Sequence, residues 1–244
     1  MITVFADQHL YKIKEIVPDN IDLHFYDPEL GLPAQLNKAD ALLVRTVTGV
    51  NNQTLSPIPQ NLSFLATGSA GTDHVDQQYL KQHDIQFAHS AGCNARSVAE
   101  YVVTALIIWS GKNKIDLKKE CIGIVGVGHV GSALQQMLDT LGWEYRLYDP
   151  PRAEREDEFS SVPLKEVLDC SILTFHTPLY NNSEHATYHW LNSDKLSNRN
   201  FKMVLNTSRG GVVDEDSLLE AVSVGRVEDM VIDVWRVNPL LTMK

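Results

Sequence analysis

Short apolar runs alternate with amphipathic segments along the whole chain, which is the pattern of an α/β protein. The apolar runs predict parallel, buried strands. These strands cover residues 2–6, 23–26, 41–45, 64–66 and 85–88, then 122–126, 145–148, 171–175, 203–206 and 230–234. The intervening segments predict helices at 13–17, 94–110, 130–141, 164–168 and 216–224, with a short helix near Asp194.

The predicted helix 94–110 divides the pattern into two halves. Its apolar residues recur at three- and four-residue steps, which gives one buried face: Val98, Tyr101, Val102, Ala105, Leu106 and Trp109. We interpret it as an interdomain helix. The sequence therefore predicts a smaller flavodoxin-like α/β domain at 1–93 and a Rossmann-type doubly wound domain at 94–244, the latter ending before a sixth strand.

A glycine motif joins the predicted strand 122–126 to the next helix. Gly126 suits a tight turn, Gly128 allows a pyrophosphate to approach the backbone, and Gly131 allows the helix to pack on the strand. Asp149 follows the next strand, at the spacing of a carboxylate that binds a ribose diol, and it favours NAD over NADP. The alternative is a tight turn without a ligand. The predicted cofactor contacts of this region are Gly126, Gly128, His129, Val130, Gly131 and Asp149.

Charge and composition narrow the function classes. The net charge is −10 and basic clusters are lacking, which argues against nucleic acid or an anionic membrane as the main partner. The start of the chain lacks the pattern of a signal peptide, and the longest apolar run is too short to cross a bilayer. The three cysteines are widely spread without metal-like spacing, which favours a reduced, cytoplasmic compartment and no metal site.

Further candidate chemistry lies where predicted strands end. Arg209 follows a buried strand and precedes two glycines, so it is placed to bind a carboxylate and polarise a carbonyl; alternatively it pairs with an acid such as Asp214. In the first half, residues 68–75 and 45–48 offer backbone N–H groups, hydroxyls and the cation of Arg45 to an anion. Alternatively these are ordinary turns, with Asp73 capping a helix.

Several short sequence segments resemble those of a known family. The runs GTDHVD, GIVGVGHVG, ILTFHTPL and NTSRGGVVDEDSLL are similar to those of the D-isomer-specific 2-hydroxyacid dehydrogenases, over nearly all of the chain. Together with GCNARSVAEYV and DPPRA, they imply NAD-linked oxidation of 4-phospho-D-erythronate to its 2-oxo acid, a step of pyridoxal 5′-phosphate biosynthesis. Another phosphorylated acid, such as 3-phosphoglycerate, is an alternative substrate. A non-catalytic NAD-binding interaction module is an alternative function.

The resemblance also implies roles for individual residues. Arg209 is the implied catalytic arginine. His74 and His176 match positioning sites and not bases. The implied substrate contacts are Thr46 and Ser69, and the implied NAD contacts beyond the glycine motif are Asp149, Thr177, Thr207, Ser208 and Asp233. The resemblance also implies a homodimer for the full-length enzyme, through a C-terminal region that this sequence does not show, so we do not expect this chain to dimerise in the same way.

The end of the chain departs from the family pattern. The resemblance implies Glu directly before Pro239, where the chain has Asn238, and it implies a later His after a sixth strand. An amide does not replace a carboxylate as the charged partner of an imidazolium. We therefore expect a truncated, less stable chain with negligible turnover. Its last nine residues are consistent with a shifted reading frame, and a natural short paralogue is the alternative.

Overall fold

The structure is a computed structural model that describes residues 1–181 and 184–236. The chain forms two compact units, Met1–Cys93 and Asn94–Lys244. Within the described residues, no helix is long and apolar enough to cross a membrane, and no group of three or more His, Cys, Asp or Glu residues is arranged to hold a metal ion.

The first unit is built on a five-stranded parallel sheet. Its strands are Ile2–Asp7 (β1), Ile21–Tyr26 (β2), Ala41–Val44 (β3), Phe64–Thr67 (β4) and Gln86–His89 (β5). Its α-helices are Ile13–Ile16 (α1) and Gln77–Gln82 (α2). The spatial order β2-β1-β3-β4-β5 is that of flavodoxin, which confirms the fold predicted for this part of the chain. The order reverses between β1 and β3, and in such sheets ligands bind beyond the carboxyl ends of the strands at that point.

One face of the central strands β3 and β4 is fully buried. Leu42 and Val44 of β3 and Leu65 of β4 are fully buried. They form one core with Leu55, Leu80 and residues of the connecting segments. In β1, the consecutive residues Val4, Phe5 and Ala6 are all buried, so that strand is enclosed on both faces and reads as a continuous apolar run.

The second unit begins with a long helix and contains a second parallel sheet. Its helices are Ala95–Asn113 (α3), His129–Leu141 (α4), Pro150–Ala153 (α5), Leu164–Leu168 (α6), Ser193–Ser197 (α7) and Glu215–Ser223 (α8). Its strands are Cys121–Val125 (β6), Glu144–Tyr148 (β7), Ile172–Phe175 (β8), Phe201–Asn206 (β9) and Val227–Ile232 (β10). The buried face of α3 carries Val102, Leu106 and Trp109, as predicted, and also Ala99, which was not predicted. Val98 and Ala105 are half-buried, and Tyr101 is 43% exposed.

The strand order of this sheet is β10-β9-β8-β6-β7, with the reversal between β6 and β8. Compared with the six-strand order 3-2-1-4-5-6, the five strands occupy the places 2-1-4-5-6. The remaining place lies outside β7, where irregular chain runs alongside: the Val162 N–H donates to the Leu147 carbonyl at 2.9 Å. The sequence predicts instead that the missing sixth strand lies beyond β10. In the described residues, β10 forms the other edge of the sheet.

A disulfide joins Cys121, at the start of β6, to Cys170, just before β8. Their Cα atoms are 4.7 Å apart, although 49 residues separate them in sequence. The wide spacing of the cysteines gave no reason to expect that these two side chains would meet. The residues meet because β6 and β8 are neighbours in register, with Ile122 opposite Ile172. Cys93 is a free, exposed thiol.

Candidate functional site

The glycine motif forms a tight turn between β6 and α4. Gly126 has φ +87°, which favours glycine, and a Cβ there would lie 2.8 Å from the His176 carbonyl oxygen. A Cβ on Gly131 would overlap the Gly126 carbonyl oxygen. A Cβ on Gly128 would meet no protein atom within 4 Å. Two glycines are therefore required by packing, while Gly128 keeps the backbone open towards the adjoining cleft.

Asp149 follows β7 and binds the glycine turn directly. Its Oδ2 accepts a hydrogen bond from the Val127 N–H at 2.7 Å, and its Oδ1 accepts one from the Arg152 N–H at 3.0 Å. The second bond caps the N-terminus of α5. The carboxylate predicted from sequence to bind a ribose thus also holds the turn, a role that spacing alone did not reveal.

A cleft of about 400 Å³ lies beside this turn, at the carboxyl ends of β6, β7 and β8. Gly126, Gly128, Asp149 and Thr177 line it, together with the aromatic rings of Tyr148 and Trp190. The N-terminus of α4 opens at Gly128, where unpaired N–H groups and the helix dipole favour a bound phosphate. Four of the ten cofactor contacts predicted from sequence therefore line this cleft.

His176 connects this cleft to the loop after β9. Its Nε2 lies 3.0 Å from Thr174 Oγ1, and its Nδ1 lies 3.1 Å from Thr207 Oγ1. Burial lowers its pKa to about 3, so the ring is neutral near pH 7. The neutral ring is thus held at both nitrogens and contacts Thr207.

Asn206 orders the loop that carries Arg209. Its Oδ1 accepts hydrogen bonds from the Ser208 N–H at 3.1 Å and the Ser208 hydroxyl at 2.7 Å. Its Nδ2 donates to the Arg209 carbonyl at 2.9 Å. Asn206 is fully buried at the end of β9, and its carbonyl accepts the Asp233 N–H at 3.0 Å. Sequence analysis did not select Asn206, although its place at a strand end was the available signal.

Arg209 and Asp233 lie at this same edge of the sheet. The Arg209 Nη1 donates to the Ser208 carbonyl at 2.8 Å. The alternative partner Asp214 caps α8, because its Oδ1 accepts the Ser217 N–H at 3.5 Å. Its Oδ2 also accepts the Ser217 hydroxyl at 2.9 Å. Asp233 lies one residue beyond β10 and not inside the strand as predicted. Gly210 is needed because a Cβ there would overlap the backbone of Trp235 and Arg236.

The first unit places its candidate residues at the carboxyl edge of its own sheet. Thr46 follows β3 and Ser69 follows β4, and these two strands pair. The Arg45 Nε donates to Asp7 Oδ2 at 2.9 Å, and Asp7 is fully buried at the end of β1. The predicted cap of α2 was wrong: Asp76, and not Asp73, accepts the Tyr79 N–H at 2.9 Å.

Comparison with known proteins identifies the family. Residues 99–244 match the family model described as "D-isomer specific 2-hydroxyacid dehydrogenase, NAD binding domain". The chain belongs to this dehydrogenase family. Its second unit is therefore an NAD-binding domain, and the resemblance seen in the sequence motifs is confirmed.

Curated relatives and solved structures extend the comparison. The chain is 44% identical over 213 residues to erythronate-4-phosphate dehydrogenase of Salmonella arizonae, and 45% identical to that of Salmonella newport. Each alignment covers 86% of this chain and 55% of the relative, so the chain spans about half the length of the curated relatives it matches.

Two solved structures share the fold at low sequence identity. D-lactate dehydrogenase of Aquifex aeolicus, complexed with NAD and lactic acid, has a TM-score of 0.76 at 21% identity and covers 98% of this chain and 78% of its own. The NADPH-dependent glyoxylate/hydroxypyruvate reductase of Sinorhizobium meliloti, in complex with NADP and malonate, has a TM-score of 0.78 at 19% identity and covers 98% and 81%. These comparisons show that the chain shares the fold of both structures.

The residues of the second unit fit a dinucleotide. The open space at Gly128, the start of α4 and the carboxylate of Asp149 lie along one cleft. Asn238, which replaces the Glu expected from the resemblance, lies outside the described residues.

Proposed function

We propose that this chain derives from an enzyme that oxidises 4-phospho-D-erythronate at C2 with NAD, within pyridoxal 5′-phosphate biosynthesis. The observation that carries this proposal is the 44–45% identity to curated relatives named erythronate-4-phosphate dehydrogenase. The glycine turn and the Arg209 loop support it, because both lie at the carboxyl edge of one sheet. We further propose a cytoplasmic location and, for the full-length enzyme, a homodimer.

The proposed division of labour follows the two units. Residues 1–93 would bind substrate and residues 94–244 would bind NAD. NAD accepts the hydride when it is bound. The proposed cofactor contacts are Gly126, Gly128, His129, Val130, Gly131, Asp149, Thr177, Thr207, Ser208 and Asp233.

Arg209 is the proposed catalytic residue. A guanidinium binds the substrate carboxylate and stabilises negative charge on the neighbouring oxygen as the carbonyl forms. Asn206 fixes the backbone on both sides of it, at Ser208 and at the Arg209 carbonyl. Thr46 and Ser69 are the proposed substrate contacts in the first unit, with hydroxyls that suit a polyol phosphate.

The sequence of the segment after β10 favours a second candidate function. Asn238 cannot act as the charged partner of an imidazolium, so the chain is expected to bind its ligands with little turnover. A non-catalytic NAD-binding module would show the same lack of turnover but would not bind the hydroxy acid.

Calorimetric titration of the full chain distinguishes these functions. The NAD-loaded chain is titrated with 4-phospho-D-erythronate, D-erythronate and 3-phosphoglycerate. We expect the first ligand to bind most tightly, and Arg209→Gln to weaken it by more than about tenfold, since a charge-assisted contact is lost. Arg226→Gln is the matched control, because Arg226 is exposed just before β10.

Each other outcome changes the assignment. Preference for 3-phosphoglycerate would replace the proposed substrate. Binding of NAD with none of the three acids would favour the interaction module. If Arg209→Gln and Arg226→Gln lost the same amount of affinity for 4-phospho-D-erythronate, the proposed role of Arg209 would be wrong.

A further inference from the structure

Arg152 is held inside the second unit by three side-chain hydrogen bonds. Its Nη1 donates to the Val127 carbonyl at 2.7 Å and lies 3.0 Å from Ser132 Oγ, while its Nε donates to Glu156 Oε2 at 2.7 Å. The guanidinium also lies over the Phe159 ring, 4.4 Å from its centre.

These contacts fix the middle residue of the glycine turn from both sides. The Val127 N–H donates to Asp149, and the Val127 carbonyl accepts from Arg152. Asp149 also accepts the backbone N–H of Arg152. Arg152 therefore belongs to the same network that orders the phosphate-facing turn.

The network borders a second opening beside Asp149. Gly128, Asp149, Arg152 and Glu156 line this space, and Arg155 contributes a further cation. If Asp149 binds the adenosine ribose, a 2′-phosphate would enter this group of charges. An arginine near a ribose would ordinarily be a bidentate partner for such a phosphate. In this chain, the Nη1 and Nε atoms of Arg152 already contact Val127, Ser132 and Glu156.

We propose that Arg152 and Glu156 form a cofactor-specificity pair. Glu156 holds the Arg152 guanidinium on the glycine turn and so withholds that cation from the 2′-phosphate of NADP. The Glu156 carboxylate adds negative charge beside the same position. Arg152 acts as a positioning residue for the turn, and this inference rests on the proposed NAD site.

Titration of the full chain with NADH and with NADPH tests the pair. The readout is the ratio of the two dissociation constants, Kd for NADPH over Kd for NADH. Glu156→Gln should lower this ratio about tenfold, as expected when one negative charge is removed near a phosphate dianion and a guanidinium is released. Glu154→Gln is the matched control, because its carboxylate lies 2.8 Å from His185 Nε2 and away from Arg152. The control should leave the ratio unchanged within about twofold.

Arg152→Gln provides a second variant. Arg152→Gln should weaken NADH binding about tenfold, because the turn loses the charge-assisted hydrogen bond from Arg152 to the Val127 carbonyl. Adding Glu156→Gln to it should then shift the ratio less than Glu156→Gln does alone, since no guanidinium remains to be released.

The outcomes separate this inference from the proposed function. An unaltered chain that binds neither nucleotide overturns both. NADH binding with the same ratio in Glu156→Gln and Glu154→Gln overturns the specificity pair alone. A purely structural role would weaken both nucleotides equally in Arg152→Gln and leave the ratio unmoved in Glu156→Gln, which also overturns it.

Discussion

Gly131→Ala sets two opposite effects against each other. Gly131 lies in the first turn of α4, and replacing a helical glycine with alanine normally stabilises a helix by about 1 kcal/mol. In this structure, however, the added Cβ would overlap the Gly126 carbonyl oxygen and lie 3.1 Å from its carbonyl carbon. Both are backbone atoms, so relief requires the helix to move away from the turn.

The steric effect should win. Overpacking of this kind costs about 1–3 kcal/mol. Because the obstacle is backbone and cannot rotate aside, we take the upper end of that range. Subtracting the gain of about 1 kcal/mol from helix propensity leaves a net loss of about 2 kcal/mol for Gly131→Ala. A displaced α4 should also weaken NADH binding, since its N-terminus faces the cleft.

Urea unfolding followed by tryptophan fluorescence measures this loss. All four tryptophans (Trp109, Trp143, Trp190 and Trp235) belong to the second unit, so the signal reports on the unit that contains the mutation. Gly111→Ala is the matched control: Gly111 lies within α3, and a Cβ there meets nothing within 4 Å. We expect that control to gain up to about 1 kcal/mol. A Gly131→Ala chain as stable as Gly111→Ala would refute the argument from close packing.

Gly128→Ala separates packing from ligand binding. Its Cβ would also meet no protein atom within 4 Å, so stability should change by less than about 1 kcal/mol. The methyl group would project into the cleft where a pyrophosphate is proposed. We therefore expect NADH affinity to fall at least about tenfold with little change in the urea midpoint. Unchanged NADH affinity would contradict the proposed use of this turn.

Three further predictions concern other parts of the molecule. Asp7→Ala should destabilise the first unit by about 3 kcal/mol, because it leaves the half-buried Arg45 without its carboxylate partner; circular dichroism during urea unfolding measures this. Reducing the Cys121–Cys170 disulfide should cost up to about 4 kcal/mol, from the entropy of the 49-residue loop it closes, measured by unfolding with and without a thiol reductant. His176 has a folded pKa lowered to about 3, so the unfolded chain binds its proton first. Stability should therefore be fullest above pH ~6.5 and fall towards pH 3, with a shallower fall in His176→Asn.

The sequence predicted those features that depend on short stretches of chain. Every predicted strand is present, with ends shifted by a few residues, because continuous apolar runs are a strong signal for buried parallel strands. The glycine turn and Asp149 were also predictable, since a strand, a turn and a helix follow one another directly. The short helix α5 was missed because two prolines and a charged run resemble a loop, while Asp149 supplies the cap that starts it.

Features that depend on strand order were beyond the sequence pattern. Cys121 meets Cys170, and His176 meets Thr207, only because β8 lies between β6 and β9. The spacing of residues along the chain carries no trace of that order.

Asp149 shows why this matters for function. Its position after β7 indicated a ribose ligand and a preference for NAD, and its carboxylate does line the cleft. The same carboxylate accepts hydrogen bonds from two backbone N–H groups, so part of its acceptor capacity is already used. Discrimination against a 2′-phosphate therefore depends on the charges around Asp149 as well as on its own. In this chain those charges include Arg152, which Glu156 holds against the glycine turn. A substitution of Asp149 would also disturb the turn. The choice of cofactor is therefore better tested at Glu156 than at Asp149.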